Sequence, residues 1–106
     1  MGPHTDDDFR IDTRRDDGVV RLTVHGELDL GTSPALEEAI ARAGSASRVD
    51  IDLSNMSFMD SSGLAVLISA RKRAESDGLE LTVGGANEHV RRLLDLTGTA
   101  HFILGD

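Results

Sequence analysis

A two-layer α/β domain, with a mixed β-sheet covered by helices on one face and left largely exposed on the other, is the fold this sequence predicts. Three observations lead there. Four segments alternate apolar and polar residues as half-buried strands do, whereas a sheet buried on both faces would show continuous apolar runs. Three other segments space their apolar residues by three and four and are bounded by capping residues and glycines, as helices are. The order along the chain is strand, strand, helix, strand, helix, strand, helix. Strands two, three and four are thus joined through helices and expected to be parallel, with right-handed crossovers.

Phe9 to Thr13 alternates as the first strand, and Asp16-Asp17-Gly18 reads as a tight hairpin turn. Val20, Leu22 and Val24 lie on one face of the second strand, with Arg21, Thr23 and His25 on the other. GELDLGTS at 26–33 follows as a loop. Ser33 is placed to cap a helix that has Pro34 at its first position, where the missing N–H costs nothing. Leu36, Ala39, Ile40 and Ala43 form its inward stripe, and Gly44 ends it. Val49, Ile51 and Leu53 build the third strand within RVDIDLS, 48–54, and residues 55–61 read as a loop. Leu64, Leu67, Ile68, Arg71 and Ala74 then fall at helical spacing up to Gly78. Leu79, Leu81 and Val83 make the fourth strand. Asn87 caps a short helix with Val90, Leu93 and Leu94 inward and Gly98 as its stop, and Phe102 to Leu104 reads as a terminal edge strand.

At 106 residues the chain supports one domain with one core. Residues 1–8 are expected to be a disordered acidic N-terminus, with 1–5 compatible with a tag remnant, and residues 9–106 to form the domain. No apolar run approaches the ~20 residues of a membrane span, and no segment has the order of a signal peptide. Cysteine is absent, which excludes disulfides and thiolate chemistry, and the cytoplasm is the expected compartment. A formal charge of −8 would repel nucleic-acid phosphates, and the lack of Tyr and Trp removes a stacking platform for bases.

The segment MSFMDSSGL, 56–64, places Asp60, Ser61, Ser62 and Gly63 in the first turn of a helix. Backbone N–H groups are free there and the helix dipole favours negative charge. A serine in that position is either a cap or a site able to carry a phosphate. Gly63 is costly inside a helical turn, by up to about 1 kcal/mol relative to alanine, and suggests close approach by another surface. If the three parallel strands end on one edge, Glu27, Asp29 and Thr32 share a surface with Asp60 and Ser61. Catalytic serine chemistry is not expected: there is no G-x-S-x-G elbow, and His4, His25, His89 and His101 are scattered along the chain. Glu27, Asp29 and Asp60 match no metal-loop pattern, and Gly84-Gly85 before a helix lacks the phosphate-loop lysine. No metal or cofactor is therefore expected.

Three stretches resemble the STAS-domain anti-sigma factor antagonists: VDIDLSNMSFMDSSGLAVLISA (49–70), VHGELDLGTSPAL (24–36) and VRRLLDLTGTAHFI (90–103). The resemblance covers roughly residues 9–104. It implies that Ser61, the first serine after the aspartate, is a phosphoacceptor. It further implies a non-enzymatic switch, whose partners are an anti-sigma factor with serine kinase activity and a serine phosphatase. Unphosphorylated, such a protein binds the anti-sigma factor and frees a sigma factor for transcription; phosphorylated, it lets go. Glu27, Asp29, Thr32, Asp60, Ser61, Ser62 and Gly63 are the candidate partner-binding residues. Two other functions fit the same residues: a STAS scaffold module within a larger signalling assembly, and a protein that binds and hydrolyses nucleotide through Ser61 and the acidic loops.

Overall fold

Aspartate and glycine at a two-residue turn start the sheet. Asp17 and Gly18 both have positive φ, at 50° and 83°, the conformation that lets the right-handed twist of two antiparallel strands continue through a hairpin. They join β1 (Arg10–Asp16) to β2 (Val19–Leu28). A computed structural model describes residues 9–105; the expected acidic terminus, 1–8, lies outside the described residues. After β2 come α1 (Ser33–Arg42), β3 (Arg48–Met59), α2 (Ser61–Asp77), β4 (Glu80–Gly84), α3 (Glu88–Leu96) and α4 (Ala100–Leu104).

The sheet order is β1-β2-β3-β4, antiparallel in the first pair and parallel in the other two. This is the mixed sheet that the alternation and connections predict. Val20, Leu22 and Val24 of β2, Val49, Ile51 and Leu53 of β3, and Leu81 and Val83 of β4 are buried. They share one core with Leu36, Leu67, Val90, Leu94 and Ile103 from the four helices. The other face is polar. There Asp50 binds Arg48 Nε at 2.7 Å and Thr82 Oγ1 at 2.6 Å, with Arg21 3.8 Å away, so three strands are tied by one carboxylate. Asp50 is only 9% exposed although it lies on the wet face.

Four elements differ from their sequence expectations. Residues 26–28 and 55–59, expected as loop, are strand. The register moves from Thr23↔Asp52 to His25↔Asn55, then from Gly26↔Met56 to Glu27↔Phe58. At each step β3 carries one extra residue, and such bulges break the alternation by which a strand is recognised. Phe102 to Leu104 is not an edge strand but part of helix α4. Its turn satisfies its own main chain, Ile103 N–H donating to Thr99 O at 2.9 Å, while still burying Ile103. Finally, Ser33 does not cap α1. The cap position is Thr32, whose hydroxyl is engaged elsewhere, and Ser33 is the first helical residue. The expected caps hold at Asn87, whose side chain accepts from Val90 N–H, and at Gly78, which ends α2 in the left-handed conformation.

The Asp50 cluster sets an acid limit on stability. The hydrogen bond from Arg48 foremost, with that from Thr82, holds its carboxyl below the usual carboxylate value. A carboxyl whose pKa is depressed on folding contributes stability above its unfolded value of about 3.9 and loses it as pH falls through the folded value. Thermal melts across an acid series should therefore drop below about pH 4, and Asp50→Asn should flatten that drop while lowering the neutral plateau by on the order of 1 kcal/mol. An unchanged acid profile in Asp50→Asn would assign the drop to other carboxylates.

Candidate functional site

The start of α2 is built from the ends of β2 and β3. Asp60, in extended conformation, donates its N–H to Leu28 O at 3.2 Å, which ties the residue after β3 to the end of β2. Its Oδ1 accepts from Ser62 N at 2.8 Å and from Gly63 N at 3.3 Å. One carboxylate thus meets two of the helix's orphan donors, and Asp60 is the cap. Ser61, next in line, is exposed, and its hydroxyl makes no hydrogen bond among the described residues. Ser62 is half-buried.

Gly63 is buried, and the surface that approaches it is the chain's own. A Cβ there would stand 2.8 Å from Leu28 Cγ and Cδ2 and from Met59 Cγ. The close approach expected from its position is therefore internal packing and not a contact with another molecule.

The 29–32 loop beside it is held from within. Thr32 Oγ1 donates to Glu27 O at 2.7 Å and accepts from Asp29 N at 2.9 Å. Asp29 Oδ1 accepts from Gly31 N at 3.0 Å and Thr32 N at 3.1 Å. Asp29 and Thr32 therefore shape the loop and the entry to α1, and Thr32 is only 6% exposed. Glu27 is half-buried. The structure thus brings Glu27, Asp29, Thr32, Asp60, Ser61, Ser62 and Gly63 onto adjoining segments, but assigns several of them to the frame.

The segments that adjoin Ser61 also carry exposed groups that sequence reasoning passed over. Leu30, at the loop tip, is 76% exposed. Phe58, on the β3 extension opposite Glu27, stacks on His89 of α3 with ring centroids 5.4 Å apart. Asn87 makes this juxtaposition possible, since its Nδ2 donates to Met56 O at 2.7 Å and pins the start of α3 to β3. The available signal was a large apolar residue, Phe58, between the two buried methionines of β3.

Chemically, the arrangement offers a hydroxyl in solvent at the positive end of a helix, with no side chain among the described residues in hydrogen-bond reach to act as a base. Such a group receives chemistry from outside more readily than it performs any. Among the described residues no group of three His, Cys, Asp or Glu side chains is arranged to hold a metal.

A family model described as "STAS domain" matches residues 10–105. The chain is 35% identical over 92 residues to an anti-sigma-B factor antagonist of Staphylococcus epidermidis, covering 85% of each. It is similar in structure, with a TM-score of 0.78 and 33% identity, to an anti-sigma factor antagonist from Mycobacterium paratuberculosis, covering 89% of this chain and 81% of that one. At 20% identity it shares its fold with the Bacillus cell fate determinant SpoIIAA in the phosphorylated form, with a TM-score of 0.68, covering 89% of this chain and 86% of that one.

The packing at Gly63 carries a prediction opposite in sign to helix propensity. Alanine is favoured over glycine inside a helix by about 1 kcal/mol, but its methyl group would overlap Leu28 and Met59. Overpacking of this kind costs about 1–3 kcal/mol. Gly63→Ala should melt several degrees below wild type, and equal or higher stability in thermal denaturation would show that the two side chains give way freely.

Proposed function

The chain belongs to the STAS domain family, and on that premise we propose that it is an anti-sigma factor antagonist switched by phosphorylation of Ser61. Unphosphorylated, it holds an anti-sigma factor and leaves the cognate sigma factor free to direct transcription. Phosphorylated, it lets go. The anti-sigma factor is itself the serine kinase, and a serine phosphatase returns the chain to its binding form. In this reading the chain is not an enzyme, and it works in the cytoplasm; among the described residues no helix is long and apolar enough to cross a membrane.

The curated relatives named anti-sigma-B factor antagonists, which align over 85% of this chain, support the assignment. One observation carries the site: the Ser61 hydroxyl is exposed and has no partner among the described residues, while its neighbours Asp60 and Gly63 are committed to the fold. The partner would then meet Ser61, Ser62 and Glu27 directly, together with Leu30 and Phe58, over a frame shaped by Asp29, Thr32, Asp60 and Gly63.

Charge explains the release. A phosphoserine adds roughly −1.5 to −2 charges. At a helix N-terminus that charge is locally favourable, by about 0.3–1 kcal/mol. The fold therefore tolerates the phosphate, and binding is lost because a bulky dianion occupies a surface shaped around a neutral hydroxyl beside Asp60 and Glu27.

With its kinase and ATP the chain should gain one phosphate, on Ser61 and not on Ser62, as peptide mapping would read. The authentic phosphoprotein and Ser61→Asp should melt no lower than wild type in calorimetry yet bind the anti-sigma factor weakly. Ser61→Ala should bind and stay bound in the presence of ATP. Phosphate found on Ser62 would move the site. A fall in melting temperature large enough to account for the lost affinity would mean that the switch acts by unfolding.

A further inference from the structure

β1 is one edge of the sheet, and every residue in it except Ile11 is exposed. Which of its main-chain groups face outward follows from the turn. A two-residue hairpin turn makes its flanking residues, Asp16↔Val19, a hydrogen-bonded pair. Alternation then directs the N–H and C=O groups of Arg14, Asp12 and Arg10 to β2, and those of Ile11, Thr13 and Arg15 away from the sheet. No loop or helix among the described residues bonds to those outward groups.

The charges of this strand are self-complementary. Arg10, Asp12, Arg14 and Asp16 share one face and alternate in sign. With a second copy paired antiparallel about a two-fold axis at Thr13, Arg10 stands opposite Asp16 of that copy and Asp12 opposite its Arg14. With the axis at Asp12, Arg10 meets Arg14 and Asp12 meets Asp12. With the axis at Arg14, Asp12 meets Asp16 and Arg14 meets Arg14. Like charges directly opposite destabilise strand pairing. An axis farther out shares only 10–12 or 14–16, and an axis between residues sets outward main-chain groups against inward ones. Thr13 alone keeps the full strand, the free hydrogen-bonding groups and opposite charges in register.

The single chain satisfies half of this pattern, through Arg10 on Asp12 at 3.2 Å and His25 on Asp12 at 2.9 Å, and leaves the other half unmet. Arg14 lies directly across from Arg21 on β2, and neither Arg14 nor Asp16 has an ion pair or side-chain hydrogen bond among the described residues. Charges on an open edge ordinarily deter pairing; alternating charges make it selective.

We propose that β1 is a homodimerisation edge, through which two copies join antiparallel about Thr13 into one continuous sheet. Because β2 separates β1 from β3, the joint leaves Ser61 open in both copies.

Sedimentation velocity of the full chain, from micromolar to millimolar concentration, should show a reversible dimer that weakens as salt screens the exposed pairs. Thr13→Pro removes an N–H that points away from β2, so it should leave melting near wild type while raising the dimer dissociation constant about tenfold or more. A second measurement holds even if proline disturbs the hairpin. One variant carries Asp12→Arg with Asp16→Arg, and another carries Arg10→Asp with Arg14→Asp. Each should be monomeric alone, and the two should pair on mixing. A wild-type chain that stays monomeric throughout, a well-folded Thr13→Pro protein that dimerises as before, or charge variants that remain apart on mixing would each overturn the proposal.

Discussion

Helix α2 begins so close to the ends of β2 and β3 that no side chain fits at its third residue. Much else depends on that approach. It lets Asp60 N–H reach Leu28 O while the carboxylate turns back to cap Ser62 and Gly63. It also places Leu28 and Met59 as the floor under the first turn, both fully buried or nearly so. A larger residue at position 63 would push the helix outward and loosen the link from strand to cap. The direction in which Ser61 faces solvent is thus a consequence of core packing, set by residues that never meet a partner.

The same logic sorts the acidic loops. Carboxylates in loops are commonly read as contacts, yet Asp29 and Asp60 each spend an oxygen on two backbone N–H groups. Removing such an acceptor leaves donors unmet at a cost of about 1–3 kcal/mol where they are buried. These aspartates therefore belong to the architecture first. Glu27, Leu30 and Phe58 are less committed, and a surface that mixes an acidic group with exposed apolar ones suits a partner presenting both cationic and apolar side chains.

Local signals in the sequence were legible and long-range ones were not. Val20, Leu22 and Val24 alternate within a single strand, and Asp60, Asn87 and Gly78 act within one helical turn, so each could be read without knowing the rest. The ends of β2 and β3 could not. Two bulges space Leu53, Met56 and Met59 three residues apart on the core side, a spacing that matches neither strand nor loop. AHFIL, 100–104, is apolar enough for an edge strand or a helical turn, and the outcome rests on contacts far away in sequence. Arg71 donates to Ile103 O and to Leu81 O, both at 2.7 Å, and so clamps the tail helix against β4. At the candidate site, Asp60, Ser61 and Ser62 were visible because they adjoin. The Phe58–His89 stack was not, since it needs β3 and α3 brought side by side through Asn87.

A residue that switches binding without unfolding the protein must be one the fold does not use. Four neighbouring residues at the start of α2 show how narrowly that condition is met. Asp60 supplies the cap, Gly63 supplies the clearance, and Ser62 gives its N–H to Asp60. The hydroxyls of Ser61 and Ser62 are both unbonded among the described residues, and of the two only Ser61 is exposed, Ser62 being half-buried. Modification of Asp60 or Gly63 would cost stability directly, through lost capping or overpacking. Modification of Ser61 adds charge where the helix dipole already favours it. The capping aspartate thereby does more than begin a helix: by meeting the orphan donors itself, it leaves the adjacent serine without structural duty, which is the condition the proposed switch requires.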